Sequence, residues 1–179
     1  MELNKKIKEH ILSKSVLSAD RKIGIEVECF IYKKNYSRIP VNRLKEYSAI
    51  DFLNELNNTN NDANGTYSLE PGGQIEWSSP PCANMFELES ALNSYRSLMG
   101  SILSKRNLIS LYMGVEPFAD PDSIELIDKK KYQLMNINME KRGSLGKWMM
   151  RNTSSIQVNY DIIDQKELEE VMFIADCIH

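Results

Sequence analysis

Apolar and polar residues alternate most clearly in the stretch KIGIEVECFI, residues 22–31. Apolar side chains occupy every second position, so one face of this segment can pack into a core. The opposite face carries Glu26 and Glu28, whose carboxylates would lie about 7 Å apart along an extended chain. The pattern predicts a half-buried β-strand, and the polar residues of such strands usually face water. The spacing of the two carboxylates would also suit a divalent metal ion.

Two later stretches share this division into one apolar and one polar face. Residues 66–80 divide into two short strands around a Pro-Gly-Gly turn at 71–73, with Glu70 before the turn and Glu76 after it. Taken alone, this stretch is more typical of a plain hairpin with solvated glutamates. The stretch RNTSSIQVNY, residues 151–160, is predicted to form a strand with five hydrogen-bonding side chains on one face. Such a face suits a ligand better than plain solvent.

Apolar residues recur at helical spacing in four other segments, which are residues 3–17, 49–57, 85–106 and 166–178. The remaining pattern predicts a strand at 108–115 and polar loops at 33–48 and 57–65. Because strands and helices do not alternate regularly, we predict an α+β fold in a single domain spanning residues 1–179. We expect a mostly antiparallel sheet with the helices at 85–106 and 166–178 on one face and the other face open to ligands.

Composition excludes several classes of function. The 179 residues carry a net charge of -3, with 42% hydrophobic and 26% charged residues, which is typical of a soluble domain. We see no basic face for nucleic acid and no apolar run that could span a membrane, so we expect neither partner. The two histidines, His10 and His179, offer little for histidine-based catalysis. Three widely spaced cysteines indicate reduced thiols in a cytoplasmic protein.

The predicted open face gathers four carboxylates and several other polar side chains, namely Glu26, Glu28, Glu70, Glu76, Arg151, Gln157 and Asn159. Carboxylates that crowd one face repel one another, so a hard cation that neutralises them stabilises the cluster. Oxygen ligands of this kind suit Mg²⁺. An acidic face that combines Mg²⁺ with an arginine is typical of phosphate chemistry.

Four segments, taken in order, resemble glutamate–cysteine ligase of the group shared by plants and many bacteria, among the carboxylate–amine ligases of glutamine synthetase-like fold. They are GIEVECF, SLEPGGQIEWSSPP, YMGVEPF and KYQLMNINMEKRGSLGKWMMRNTSSIQVNYD, within roughly residues 20–178. The resemblance implies that ATP phosphorylates the γ-carboxylate of L-glutamate and that the amine of L-cysteine attacks the acyl phosphate. The product, γ-glutamylcysteine, would enter glutathione biosynthesis.

The same resemblance assigns roles to individual residues. It implies that Glu26, Glu28, Glu70 and Glu76 bind Mg²⁺ on the phosphate side of the site. It makes Arg151 the catalytic residue that meets the glutamate carboxylate or the phosphoryl group. The substrate-binding positions that it implies are Gln74, Tyr132, Met150, Arg151, Gln157 and Asn159. This reaction requires no covalent nucleophile from the protein, which agrees with the scarcity of histidine.

Members of this family are much longer than the present chain, so we expect an N-terminal fragment of a ligase catalytic domain that is inactive alone. Two alternatives stay open. One is a related carboxylate–amine ligase with another amine acceptor or thiol pathway. The other is a non-catalytic module whose acidic face binds Mg²⁺, a nucleotide or a partner. A module that serves only to bind a partner should give no heat of binding with Mg²⁺·ATP or with glutamate.

Overall fold

The computed structural model describes residues 2–44, 46–59 and 64–178. The helices in these ranges are α1 (Glu2–Leu12), α2 (Ala49–Thr59), α3 (Met85–Arg106), α4 (Lys130–Arg142), α5 (Gly146–Asn152) and α6 (Gln165–Ile178). The strands are β1 (Ile23–Lys33), β2 (Thr66–Leu69), β3 (Ile75–Ser78), β4 (Leu108–Leu111) and β5 (Ile156–Tyr160). None of the helices described is both long and apolar enough to cross a membrane.

A five-stranded antiparallel sheet is built around β1, its longest strand. On one edge, β1 pairs with β3 through residues 26–29, and β2 lies beyond β3. On the other edge, residues 23–27 of β1 pair with β5 and residues 30–33 pair with β4. Because β1 is long, two strands can follow one another along the same edge. The predicted α+β fold with a mostly antiparallel sheet is confirmed.

The core lies on the face of the sheet that carries Val27 and Cys29 of β1. Alternation along β3 places Ile75 and Trp77 on the same face, and all four side chains are at most 5% exposed. Helices α2 and α3 cover this face with their own buried apolar residues. The ring of Tyr95 from α3 stacks on Trp77 with ring centroids 4.6 Å apart. The predicted apolar face of β1 is therefore the core face.

Helix α3 begins and ends where its sequence predicts. The side chain of Asn84 accepts hydrogen bonds from the backbone N–H groups of Phe86 and Glu87, each 3.0 Å long. The carboxylate of Glu87 accepts in turn from the N–H of Ala83 at 2.8 Å, one residue before the N-cap, in a variant of the capping box. Asn107 ends the helix in the left-handed conformation, with φ of 54°. Local chemistry therefore determines both ends of this helix.

Strands β4 and β5 are shorter in the structure than the sequence predicts. Strand β4 ends at Leu111 rather than at residue 115. Strand β5 begins at Ile156, and residues 151–152 end helix α5 instead. The hydroxyl of Thr153 donates to the carbonyl oxygen of Met149 at 2.7 Å, which satisfies a group that the helix end leaves free. The prediction of a strand from residue 151 was wrong because this local bond favours a helix end.

Helix boundaries differ in three further places. Helix α1 ends at Leu12 rather than at residue 17. Helix α2 continues to Thr59, into the predicted loop at 57–65, and residues 60–63 of that loop lie outside the described residues. Helices α4 and α5 occupy a methionine-rich segment for which the sequence predicted no regular element. These helices bury little apolar surface, so no clear apolar stripe marks them in the sequence.

Helix α6 does not pack on the sheet as expected. Of its residues, Leu168 is buried, whereas Met172 and Phe173 are 61% and 70% exposed. Exposed ion pairs connect the helix to other parts of the chain, including one of 2.8 Å between Lys8 of α1 and Glu169. Its apolar stripe is real, but within the described structure nothing covers most of it.

Candidate functional site

Strand pairing brings three of the predicted metal-binding glutamates onto one face of the sheet. Glu28 of β1 lies directly opposite Glu76 of β3. Glu26 lies opposite Ser78 on that edge and opposite Gln157 of β5 on the other. Like charges directly across a strand pair destabilise a sheet. The face therefore carries uncompensated negative charge that a cation would relieve.

Strand β5 supplies hydrogen-bond donors to both glutamates of β1. Glu28 accepts from the backbone N–H and the hydroxyl of Ser155, at 3.1 and 2.9 Å, and from the side-chain amide of Gln157 at 3.2 Å. Glu26 accepts from the side-chain amide of Asn159, also at 3.2 Å. These bonds restrict the orientation of the carboxylates and place Gln157 and Asn159 beside them. Ser155 was noted on the polar face but was not among the predicted binding residues.

The glycine turn before β3 holds the fourth glutamate at the border of this face. The N–H of Gly73 donates to the carbonyl oxygen of Glu70 at 2.8 Å, and φ of Gly73 is 79°, which favours glycine. The N–H of Glu70 donates to the carbonyl oxygen of Gln74 at 3.0 Å, which closes the turn. Partial burial raises the pKa of Glu70, and the negative charges of Glu76 and Glu28 raise it further. The charges of the other carboxylates therefore disfavour the ionised form of Glu70.

The first turn of helix α4 borders the same region. Burial raises the pKa of Tyr132, and the charges of Glu70 and Glu76 add to this effect, so its phenol lies within their field. The charge of Lys131 acts in the opposite direction on Glu70 and lowers its pKa. The family resemblance implied a substrate-binding role for Tyr132 and none for the lysines before it. The fold brings Lys131 close enough for its charge to act on Glu70.

Arg151 is occupied by contacts outside this face. Its guanidinium donates to the carbonyl oxygens of Pro121 and Ile124, at 2.9 and 3.0 Å, and to the side-chain oxygen of Asn136 at 3.0 Å. These bonds join α5 to α4 and to the preceding loop. The predicted contact of Arg151 with a substrate stays a prediction.

Gln74 and Met150 are the other predicted substrate residues that the structure buries. Each is 1% exposed. The side-chain amide of Gln74 donates to the carbonyl oxygen of Thr153 at 2.8 Å, and its own oxygen has no partner. The structure gives Gln74 the role of joining the glycine turn to the segment before β5. Contacts of Gln74 and Met150 with a substrate stay predictions.

Two carboxylates of the face, those of Glu28 and Glu76, lie directly opposite each other. Within residues 2–44, 46–59 and 64–178, no group of three or more His, Cys, Asp or Glu side chains is arranged to hold a metal ion. Mg²⁺ in phosphate-transfer sites is commonly held by one or two carboxylates together with substrate phosphates and water. The donors that face each other, Glu28 and Glu76, fit this shared mode of binding. They do not fit an ion enclosed by the protein alone.

Comparison with known proteins agrees with the chemistry of this face. The model of the family described as Glutamate-cysteine ligase family 2 (GCS2) matches residues 22–175. The chloroplastic glutamate–cysteine ligase A of Oryza sativa subsp. japonica is 31% identical over 150 residues, which cover 82% of this chain and 30% of the rice protein. The chloroplastic glutamate–cysteine ligase of Medicago truncatula is 32% identical over 101 residues, which cover 56% of this chain and 20% of that relative.

These matches have a limited extent. The chain spans less than a third of the length of the rice relative, and the matched part of the Brassica juncea enzyme is 20% of its length. The matched segment nevertheless includes β1 to β5, with every predicted metal-binding glutamate. The chain therefore belongs to the glutamate–cysteine ligase family 2.

Proposed function

We propose that the acidic face is the part of an ATP-dependent glutamate–cysteine ligase site that binds Mg²⁺ and the phosphates of ATP. The observation that carries this proposal is the pairing of Glu28 with Glu76 across β1 and β3, with Glu26 two residues along β1. Membership of the family supports the choice of reaction. The substrates would be L-glutamate, L-cysteine and ATP, and the product γ-glutamylcysteine would serve glutathione biosynthesis.

Each residue of the face would have a limited task in this reaction. Mg²⁺, when bound, would offset negative charge on the phosphates during transfer to the glutamate carboxylate. Glu28 and Glu76 would share the ion with phosphate oxygens, and Glu26 would add negative charge beside them. Ser155 and Gln157 donate to Glu28, and such outer hydrogen bonds orient a metal-binding carboxylate. The ligation step itself would need no covalent attachment to the protein.

We further propose that full turnover needs polypeptide in addition to these 179 residues. On the side of β5 that continues the core face of β1, Ile156 and Val158 are 69% and 49% exposed. Apolar side chains adjoining a core are normally covered, and large exposed apolar patches mark interaction surfaces. The relatives that match this chain are more than three times as long as the matched segment. A covering segment would protect β5, which carries Gln157 and Asn159 on its other face.

Binding of the substrates tests the proposal directly. We expect calorimetric titration of the purified chain with Mg²⁺·ATP to give heat of binding, and glutamate to bind to the resulting complex. The double variant Glu26→Gln/Glu28→Gln should lose most of this heat. The matched control Glu170→Gln changes an exposed glutamate of α6 and should bind as the wild type does. Absence of heat with both ligands would support a non-catalytic module and reject the ligase site.

Activity distinguishes the ligases from one another. In a complete ligase of the family, replacing the glutamate equivalent to Glu26 by glutamine should lower turnover by orders of magnitude at fixed Mg²⁺ concentration, because charge stabilisation during phosphate transfer would be lost. Comparison of L-cysteine with other amines as acceptors would identify a related ligase.

The cytoplasmic location stays a prediction, and the three free thiols support it.

A further inference from the structure

A buried arginine lies on the same side of the sheet as the acidic face, in the loop that follows β1. The side chain of Arg38 is 10% exposed, and its guanidinium lies over the ring of Phe30, 4.9 Å from the ring centroid. An isolated bridge between Tyr32 and Arg38 fixes the backbone at this point. Burial of a charged group is costly unless that group is paired and hydrogen-bonded, so the partners of Arg38 are informative.

Arg38 donates to two backbone segments that bear predicted site residues. One terminal nitrogen of its guanidinium donates to the carbonyl oxygen of Arg151 at 2.9 Å, at the end of α5. The other donates to the carbonyl oxygen of Gly72 at 2.5 Å, in the glycine turn. One rigid planar group therefore bridges the turn between Glu70 and Glu76 and the segment that leads into β5.

The two bridged segments also touch each other directly. A Cβ atom added at Gly72 would lie 2.6 Å from the Cα atom of Arg151 and 2.9 Å from its carbonyl oxygen. These distances are too short for any side chain, so the backbones can approach this closely only with glycine at position 72. Arg38 thus connects the two segments at a point where their backbones are already in close contact.

Glu116 supplies the opposite charge. Its side chain is fully buried and lies 3.9 Å from Nε of Arg38. The phenol of Tyr32 donates to Glu116, and the N–H groups of Phe118 and Ala119 donate to its other oxygen at 2.8 and 3.1 Å. Burial lowers the pKa of Arg38, and the charge of Glu116 opposes that change. Glu116 therefore stabilises the charge of the guanidinium.

We propose that Arg38, whose charge Glu116 stabilises, is a positioning residue that sets the glycine turn against the end of α5 and so aligns the two sides of the acidic face. Within the described structure the hydrogen bonds of Arg38 go to backbone carbonyl oxygens and not to Glu28 or Gln157, so it acts through the backbone that carries their neighbours. This role rests on the proposed function of the face. A misplaced ligand geometry weakens a metal or phosphate site even when every ligand is present.

The first test compares Arg38→Lys with the matched control Arg43→Lys. Lysine keeps the charge beside Glu116 but cannot donate to both carbonyl oxygens with one planar group. Arg43 forms an exposed ion pair of 2.7 Å with Asp51 and should tolerate the same change. In Arg38→Lys, we expect amide exchange within residues 70–75 and 149–154 to be at least about tenfold faster, with α3 unchanged, and affinity for Mg²⁺·ATP to fall about tenfold.

Chemical rescue provides a readout that a purely structural role would not give. A cavity of about 480 Å³ lies beside Arg38, between residues 36–44 and 118–125, and would admit a small cation. In Arg38→Ala, added guanidinium should restore Mg²⁺·ATP affinity, because it reproduces the planar donors. Methylammonium, with the same charge, should not restore it.

The outcomes separate this inference from the proposed function. Unchanged exchange and unchanged affinity in Arg38→Lys would overturn the positioning role. A uniform rise in exchange over the whole chain, without rescue by guanidinium, would also overturn it, because Arg38 would then stabilise the fold in general. If the wild type binds no Mg²⁺·ATP, the proposed function fails, and the exchange measurement alone still decides whether Arg38 fixes the two segments.

Discussion

Strands β3 and β5 flank β1 on opposite edges and have the same alternating pattern, yet their surroundings differ completely. In β3, Ile75 and Trp77 are fully buried beneath α2 and α3. In β5, Ile156 and Val158 face the corresponding side of the sheet and remain exposed. Alternation therefore determines which side of a strand is apolar, whereas the presence of a covering layer determines whether that side is buried.

The polar faces of β3 and β5 are alike where their apolar faces differ. Both β3 and β5 contribute to the acidic face, through Glu76 on one edge and Gln157 on the other. The face is thus complete across β1 although the core beneath β5 is not. Strand pairing alone can therefore place the residues of the site. The layer that would cover the apolar side of β5 is a separate requirement.

The largest expected difference between the covered part of the sheet and the uncovered region of β5 and α6 lies in the reactivity of their thiols. Burial raises the pKa of Cys29, in the covered part of β1, to about 12, whereas Cys177 of α6 is exposed. At pH 8 only roughly one Cys29 thiol in ten thousand would be ionised, and reagent access would also require local opening. A thiol reagent followed by mass spectrometry should modify Cys177 at least about a hundredfold faster. Cys177→Ser should remove the fast phase, and rapid modification of Cys29 would contradict a closed core.

Core substitutions should show the next largest difference. Trp77→Ala removes an indole that stacks on Tyr95 and donates to the carbonyl oxygen of Asn64 at 2.9 Å. We expect the free energy of unfolding to fall by roughly 3–5 kcal/mol in urea denaturation. Ile156→Ala, on the uncovered strand, should change it by less than about 0.5 kcal/mol. Similar losses in both variants would show that β5 is covered in solution, for example by self-association.

A smaller contrast concerns ion pairs. Glu55 of α2 accepts from Lys105 at 2.6 Å and from Arg106 at 2.7 Å, at the end of α3. Glu55→Gln should lower the free energy of unfolding by about 1 kcal/mol at pH 7. Glu169→Gln, which breaks the exposed pair with Lys8 beside the uncovered region, should have no measurable effect.

The effect of Glu55 should depend on pH in a defined direction. Its hydrogen bond with Arg106, followed by that with Lys105, lowers its pKa from the ordinary 4.5 to about 2. A lowered pKa in the folded state stabilises the fold above the ordinary value, and this contribution is lost as pH falls towards 2. The free energies of unfolding of the wild type and Glu55→Gln should therefore differ at pH 7, approach each other below about pH 4.5 and converge only near pH 2. A constant difference across this range would contradict the ion pair.

Local patterns in the sequence were sufficient for much of the fold. The alternation in β1 predicts both its core face and the placement of Glu26 and Glu28, since a strand repeats every two residues. The capping residues of α3 predict where that helix begins, because the bonds involved span only a few residues. The Pro-Gly-Gly turn likewise separates β2 from β3 as expected.

Contacts between distant parts of the chain could not be predicted in this way. Arg151 was expected to lie on a strand, but its bonds to the carbonyl oxygens of Pro121 and Ile124 accompany a helix end. Gln74 was named as a substrate-binding position; it precedes β3, and its side-chain amide donates to the carbonyl oxygen of Thr153. In both residues the deciding partner lies 27 or more positions away. No local period contains that information.

Paramagnetic broadening by Mn²⁺·ATP in NMR spectra tests the central claim most directly, since Mn²⁺ can replace Mg²⁺ at oxygen ligands. If the carboxylates of β1 and β3 bind the metal–nucleotide complex, signals of Glu26, Glu28, Glu76, Ser155 and Gln157 should broaden first, and the loss should be reversed by excess Mg²⁺·ATP. Signals of α3 serve as the internal control and should remain sharp at the same concentrations. Broadening centred elsewhere, or none at this face, would contradict the account.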